Sequence, residues 1–208
     1  VVAGHLGDEA RVRAALADPA PSVRAAALGA LARLGSVDDG DVLTGLADGS
    51  AVVRRRAAEE AGAMSPVDGP LSPALRAALD DADPLVAEAA CWALGEWRTS
   101  AAVPALGTVV RDHPDTRCRE AAVAALGAIG DPSGLPAVLA ALDDKPTVRR
   151  RAVVALAAFD GPEVDAALRR GLEDRDWQVR EVATILTDLT DDGLSEDDPL
   201  SEDGPPDR

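Results

Sequence analysis

Few of the residues that could do chemistry stand at productive spacing. The chain holds two histidines, His5 and His113, and two cysteines, Cys91 and Cys118. A structural zinc site takes about four such ligands in register, and these include no Cys-x-x-Cys pair. Two lone cysteines of this kind suit small buried thiols in a reducing cytosol. No Gly-rich phosphate loop, no His-Glu-x-x-His run and no Ser-His-Asp set can be picked out. Carboxylates abound, but abundance without convergence is not an acid–base pair. The sequence therefore predicts no enzyme, no cofactor and no metal, and reads His113 as a structural turn residue.

The arginines are less easily set aside. Arg54-Arg55-Arg56 and Arg149-Arg150-Arg151 each open an apolar-periodic stretch. Such runs can bind a phosphate or an acidic partner, or pair with nearby acids such as Glu59 and Glu60. Three cations at a helix start also oppose the helix dipole, so they call for a reason.

Composition narrows the elements that hold these residues. Apolar residues make up 47% of the 208, and 43 residues are alanine, against three Trp, one Phe and no Tyr. A sandwich or barrel needs more β-branched and aromatic bulk, so the chain is read as closely packed helices. Lys and Arg number 21 against 37 Asp and Glu, a net charge of -16 that argues against general nucleic-acid binding. No apolar run approaches the ~18 residues that cross a bilayer, and no targeting segment is recognisable. The opening VVAGHLGD resembles the internal AALGAIGD, residues 124–131, so the sequence is expected to start inside a longer chain or on a capping helix.

Internal repetition organises the rest. Aligned on Val23, equivalent residues recur at Val53, Val86, Cys118, Val148 and Val179, in steps of 30 to 33. Five positions upstream stand Asp18, Asp48, Asp81, Asp143 and Asp174, with His113 in the fourth unit. One position downstream stand Arg24, Arg54, Arg119, Arg149 and Arg180, with Ala87 the exception. Each unit reads as two helices. A first helix, such as Ser72–Asp80, leads to a turn rich in Asp, Pro or Gly. A second helix of about thirteen residues follows, with one apolar stripe at anchor +0, +4, +8 and +11. Gly35 and Gly130 suit left-handed C-caps. A single pair cannot bury its own stripe, so the units must stack.

The repeated Asp-x4-Val-Arg core, as in Asp18…Val23-Arg24, and stretches such as LGAIGDPSGLPAVLAALDDKPTVRRRAVVAL (126–156) resemble the HEAT-repeat superfamily. In particular they resemble the short HEAT-like units of phycobilin lyases, and the resemblance covers roughly residues 8–190. It implies an all-α, right-handed α-α superhelix of the HEAT/armadillo type with about six two-helix repeats. The solenoid then occupies 1–190. The segment 191–208, with eight acids, one Arg and three Pro, reads as a disordered acidic tail. Without the tail, 29 acids still face 20 bases. The resemblance also implies that the repeated acids and arginines form an inter-unit ladder of Asp18, Arg24, Asp48, Arg54, Arg119, Asp143, Arg149, Asp174 and Arg180.

In this superfamily the column at anchor +6 lines the concave surface. Here it holds Gly29, Glu59, Trp92, Ala124, Val154 and Ile185, and the +2 column beside it holds Arg55, Glu88, Glu120 and Arg150. The predicted partner site is a patch of Trp92, Glu88 and Glu120 flanked by Arg55 and Arg150, an aromatic anchor among charges. Trp97, at +11, is read as core, and Trp177 as a cap over apolar surface at the last turn. The function expected is a non-catalytic, cytoplasmic scaffold or adaptor that binds a protein partner on its concave face. Alternatives from the resemblance are a phycobilin-lyase-like subunit and a glycosylase-like nucleic-acid binder. A membrane role is not expected, and oligomeric state and partner identity are left open.

Overall fold

The computed structural model describes residues 2–64 and 69–193. Twelve α-helices and no strands are found among the described residues. In chain order they are α1 Val2–Ala14, α2 Pro21–Leu34, α3 Asp39–Leu46, α4 Ala51–Ala63, α5 Leu71–Ala78 and α6 Pro84–Glu96. There follow α7 Val103–Asp112, α8 Thr116–Ile129, α9 Leu135–Ala140, α10 Pro146–Leu156, α11 Pro162–Leu172 and α12 Trp177–Gly193. Odd-numbered helices are the first members of the repeats and even-numbered helices the second. α5 closes at Ala78, so Asp80 and Asp81 stand in the turn rather than on the helix. α12 runs to Gly193, three residues past the boundary expected at 190, and the remainder of the acidic tail, 194–208, lies outside the described residues.

Local chemistry fixes the helix ends. Pro21, Pro84, Pro146 and Pro162 each occupy the first helical position, where a missing N–H costs nothing. Gly35 and Gly130 close α2 and α8 at φ 68° and 67°, a left-handed geometry that glycine adopts without strain. Asp83 and Asp115 cap α6 and α8 by accepting from the backbone N–H two residues on, at 2.9 and 2.8 Å.

Each second helix packs on its own first helix and on the second helices before and after it. The apolar stripe faces those contacts. Val53, Val86, Cys118, Val148 and Val179 are buried at the anchor column, and Ala27, Ala57, Ala90, Ala122, Ala152 and Ala183 at +4. Burying only a methyl group at +4 lets successive helices approach closely, which is where the alanine excess goes. The first unit departs from the pattern. Val23 is 38% exposed and Leu34 is also exposed; among the described residues α1 alone stands before α2.

A chain of charged hydrogen bonds runs along the turns. The Arg24 guanidinium donates twice to Asp48, at 2.7 and 2.7 Å, and Arg54 twice to Asp81, at 2.6 and 2.8 Å. Arg149 donates twice to Asp174, at 2.9 and 2.7 Å. Each arginine also donates to a carbonyl of its own turn, as Arg24 does to Asp18 and Arg54 to Asp48. Asp48 and Asp174 in turn accept from the N–H of Ser50 and Asp176, both at 2.8 Å. One arginine thus ties its own turn to the next. At the ends the pattern is half made. Among the described residues, Asp18 accepts from the Ala20 N–H without an arginine hydrogen bond, and Arg180 reaches only the Asp174 carbonyl.

Asp143 is not in this chain. Arg119 donates instead to Asp144, at 2.6 and 2.8 Å, while Asp143 is exposed and paired with Arg170. The cause is a turn one residue shorter: Asp48 stands three residues before the start of α4, but Asp144 only two before the start of α10. At the fourth unit His113 takes the place of the acid, its Nδ1 accepting from the Asp115 N–H at 3.1 Å and its carbonyl from Arg119 at 2.8 Å. Ala87 supplies no arginine there, so the matched loss of acid and base leaves neither charge stranded.

Candidate functional site

Successive second helices present a common face, and there α4, α6, α8 and α10 line an open groove of about 890 Å³. Small residues form much of its lining: Ala89, Gly95, Ala121, Ala124, Ala125 and Ala128. Against them stands Trp92, 45% exposed. Gly62 of α4 makes room for it: a Cβ there would come within 2.3 Å of the Trp92 Cζ3. The six-membered ring therefore leans on α4 while the rest of the indole stays in the groove. Gly62, Gly95 and Gly127 share the anchor +9 position. A Cβ on Gly95 or Gly127 would likewise crowd the next second helix, at 3.0 Å from the Ala125 Cα and 2.8 Å from the Ala155 Cβ. The recurring glycine at +9 was a readable signal for this close approach, although alanine-rich neighbours masked it.

Four of the five expected partner residues line this groove: Trp92, Glu88, Glu120 and Arg55. Arg150 does not. Its guanidinium donates to the Gln178 side chain on α12, which draws it toward the following repeat. Arg151, one position on, takes its place and pairs with Glu120 at 3.5 Å. Arg55 donates to Glu59 at 2.7 Å, and Arg56 reaches both Glu59 and Glu60, at 3.2 and 3.4 Å. These acids four and three residues on answer the question of three cations at a helix start. Burial pushes the Glu60 carboxyl above its ordinary range, with the Arg56 charge opposing. Glu96, also in the lining, was not singled out in the sequence, yet Glu88, Trp92 and Glu96 stand four apart and so form one stripe of α6.

The other two tryptophans differ sharply from Trp92. Trp97 is 6% exposed, and its Nε1–H donates to the carbonyls of Ala61 and Met64, at 3.0 and 3.1 Å. It closes the C-terminal end of α4, whose last carbonyls have no partner within the helix. Trp177 opens α12 at 61% exposure, so it does not cover apolar surface as expected; its ring is mostly in water.

A family model described as HEAT repeats matches residues 3–62 and 72–154. The chain belongs to the HEAT-repeat family. A second model, described as PBS lyase HEAT-like repeat, matches residues 148–174. Among curated proteins none matches. Solved structures resemble this HEAT-repeat chain over most of its length. One is a designed armadillo repeat protein in complex with the peptide (KR)4, at 19% identity and TM-score 0.64, covering 86% of this chain and 97% of that one. Another is an engineered protein at 18% identity and TM-score 0.62, covering 89% and 97%. Human deoxyhypusine hydroxylase in complex with glycerol is similar at 20% identity and TM-score 0.53, covering 89% and 85%. These likenesses show the fold, an all-α armadillo-type solenoid.

In this HEAT solenoid the two thiols are inert. Burial pushes the Cys118 thiol up to about 11 and raises Cys91 further, so both stay protonated, and the Cys118 S–H donates to the Pro84 carbonyl at 3.1 Å. Among the described residues no group of three or more His, Cys, Asp or Glu could hold a metal ion, and no helix is long and apolar enough to cross a membrane.

Proposed function

We propose that the protein is a non-catalytic scaffold that binds an extended segment of a partner protein in the groove over α4, α6, α8 and α10. The observation that carries this reading is Trp92, a large aromatic left nearly half in water on a face otherwise built from alanine and glycine. Leaving such a ring wet forgoes the burial it gains elsewhere, and aromatic rings ringed by charge are what binding hot spots use. The close approach of the second helices at Gly95 and Gly127 supports reading this face as the concave one. The designed neighbour that holds a peptide gives a precedent for the architecture. Unpaired, protonated thiols agree with a cytosolic location.

A photo-crosslinking residue placed at Ala124 in the groove lining, with a control at Ala166 on α11, tests the reading with Trp92 intact. A partner that crosslinks from position 124 and not from 166, and whose purified form binds Trp92→Ala about 30-fold more weakly, supports it. Equal crosslinking from both positions, or equal affinity for the variant, contradicts it.

A further inference from the structure

Resting on the groove reading, we infer that the segment it binds places a basic side chain, arginine or lysine, on the free part of the Trp92 ring between Glu88 and Glu96. The charges around the ring are unevenly spent. Arg55 and Arg56 already carry Glu59 and Glu60, and Arg151 faces Glu120. Glu88 has the Arg117 guanidinium in its neighbourhood, but that cation is bound to Asp115 at 3.0 Å. Neither the Glu88 nor the Glu96 carboxylate forms an ion pair or hydrogen bond among the described residues. Two uncommitted carboxylates therefore flank an exposed indole, one turn before it and one turn after it. A cation over the ring face gains from the ring quadrupole and from both carboxylates at once.

Other occupants fit worse. A phosphate or an acidic segment would meet arginines that already hold carboxylates, and would meet Glu88 and Glu96 directly. The chain's own residues 194–208 carry six acids and one arginine, and a second copy carries a net charge of -16, so both are repelled. Past the groove lining the same +6 column continues onto α10. Val154 there, two second helices beyond Trp92, is exposed, with Ala124 of the lining between them. Two helix spacings are about 16–20 Å, which an extended strand covers in about five or six residues. The segment is thus a basic residue with an aliphatic one about five or six positions away.

Selection of a random displayed peptide library against the full chain, followed by affinity measurement on the purified peptides, tests this. The expected peptides share an arginine or lysine at that distance from an aliphatic residue. Replacing that arginine by neutral citrulline, or acetylating the lysine, weakens binding by about tenfold; so does the double substitution Glu88→Gln/Glu96→Gln, while Trp92→Ala costs about 30-fold. The circular dichroism of each variant should match the parent. Peptides that need Trp92 but carry no cation, or that bind equally well to the Glu88→Gln/Glu96→Gln variant, overturn the basic-residue inference and leave the groove reading standing. Peptides indifferent to Trp92→Ala, or a library that yields none, overturn both.

Discussion

Three tryptophans separate three uses of one side chain. Trp97 contributes bulk to the core and a donor to the end of α4. Trp97→Ala should cost about 3–5 kcal/mol as a large core truncation. Trp97→Phe should cost about 1–3 kcal/mol, because it leaves the carbonyls of Ala61 and Met64 without the indole N–H. Chemical denaturation of both variants checks the order, and a Phe variant as stable as the parent would show that the hydrogen bonds contribute nothing. Trp92 instead depends on Gly62. Gly62→Ala adds a Cβ where the ring now lies, but also removes the helix penalty of glycine, about 1 kcal/mol. The expected outcome is a near-unchanged denaturation midpoint together with a shifted Trp92 emission and weakened peptide binding. A large stability loss would mean that the ring cannot swing away. The +11 column placed Trp97 in the core, and the HEAT resemblance assigned the +6 column, with Trp92, to the concave face; Trp97 is buried and Trp92 lines the groove. The exposure of Trp177 was not legible, since a position two before the anchor is the first residue of the helix, where periodicity says little about burial.

Successive repeats are held in register by elements no longer than a turn. The Arg119 guanidinium bridges its own turn and Asp144, and its side chain is 14% exposed, whereas Arg55 pairs only with Glu59 on its own helix at 49% exposure. Arg119→Ala should therefore destabilise the chain by about 1–2 kcal/mol more than Arg55→Ala. Equal midpoints would remove the inter-repeat role. The same bonds set a pH dependence. Hydrogen bonds from Arg24, Arg54, Arg119 and Arg149 hold the carboxyls of Asp48, Asp81, Asp144 and Asp174 below the usual carboxylate range, with burial opposing. A carboxyl depressed in the folded state stabilises it above the unfolded value of about 3.9, and that contribution is lost as pH falls through the folded value. The denaturation midpoint should stay level down to about pH 5 and drop below about pH 4, less steeply in Arg119→Ala. A drop that begins near pH 6 would assign acid sensitivity to other groups. The column of acids and arginines was readable as a repeat, yet the exchange of Asp143 for Asp144 was not. Fixed spacing from the anchor assumes equal turns, and the turn between α9 and α10, inside the fifth unit, is one residue short.

At the scale of the molecule, repetition carried most of the information. Six alanine-rich helix pairs at near-equal steps imply a stacked solenoid, because no unit buries its own stripe. What repetition could not supply is how a side chain leaves its column. Arg150 belongs to the +2 column with Arg55 and Glu88, but Gln178 on the next helix draws it aside, and Arg151 enters the groove instead. The proposed partner specificity likewise rests on departures from the repeat: Trp92 and Glu96 each occur once in their columns, whereas Glu88 shares its column with Glu120 and Glu181. The central claim is that this one groove, rather than exposed aromatic surface in general, binds the partner. Trp177 provides the control, being more exposed than Trp92 yet outside the groove. The deciding measurement is the affinity of a library-selected peptide for Trp92→Ala and Trp177→Ala side by side. The account predicts a loss of about 30-fold for Trp92→Ala and none for Trp177→Ala. Equal affinities for the two variants, or a loss confined to Trp177→Ala, would contradict it.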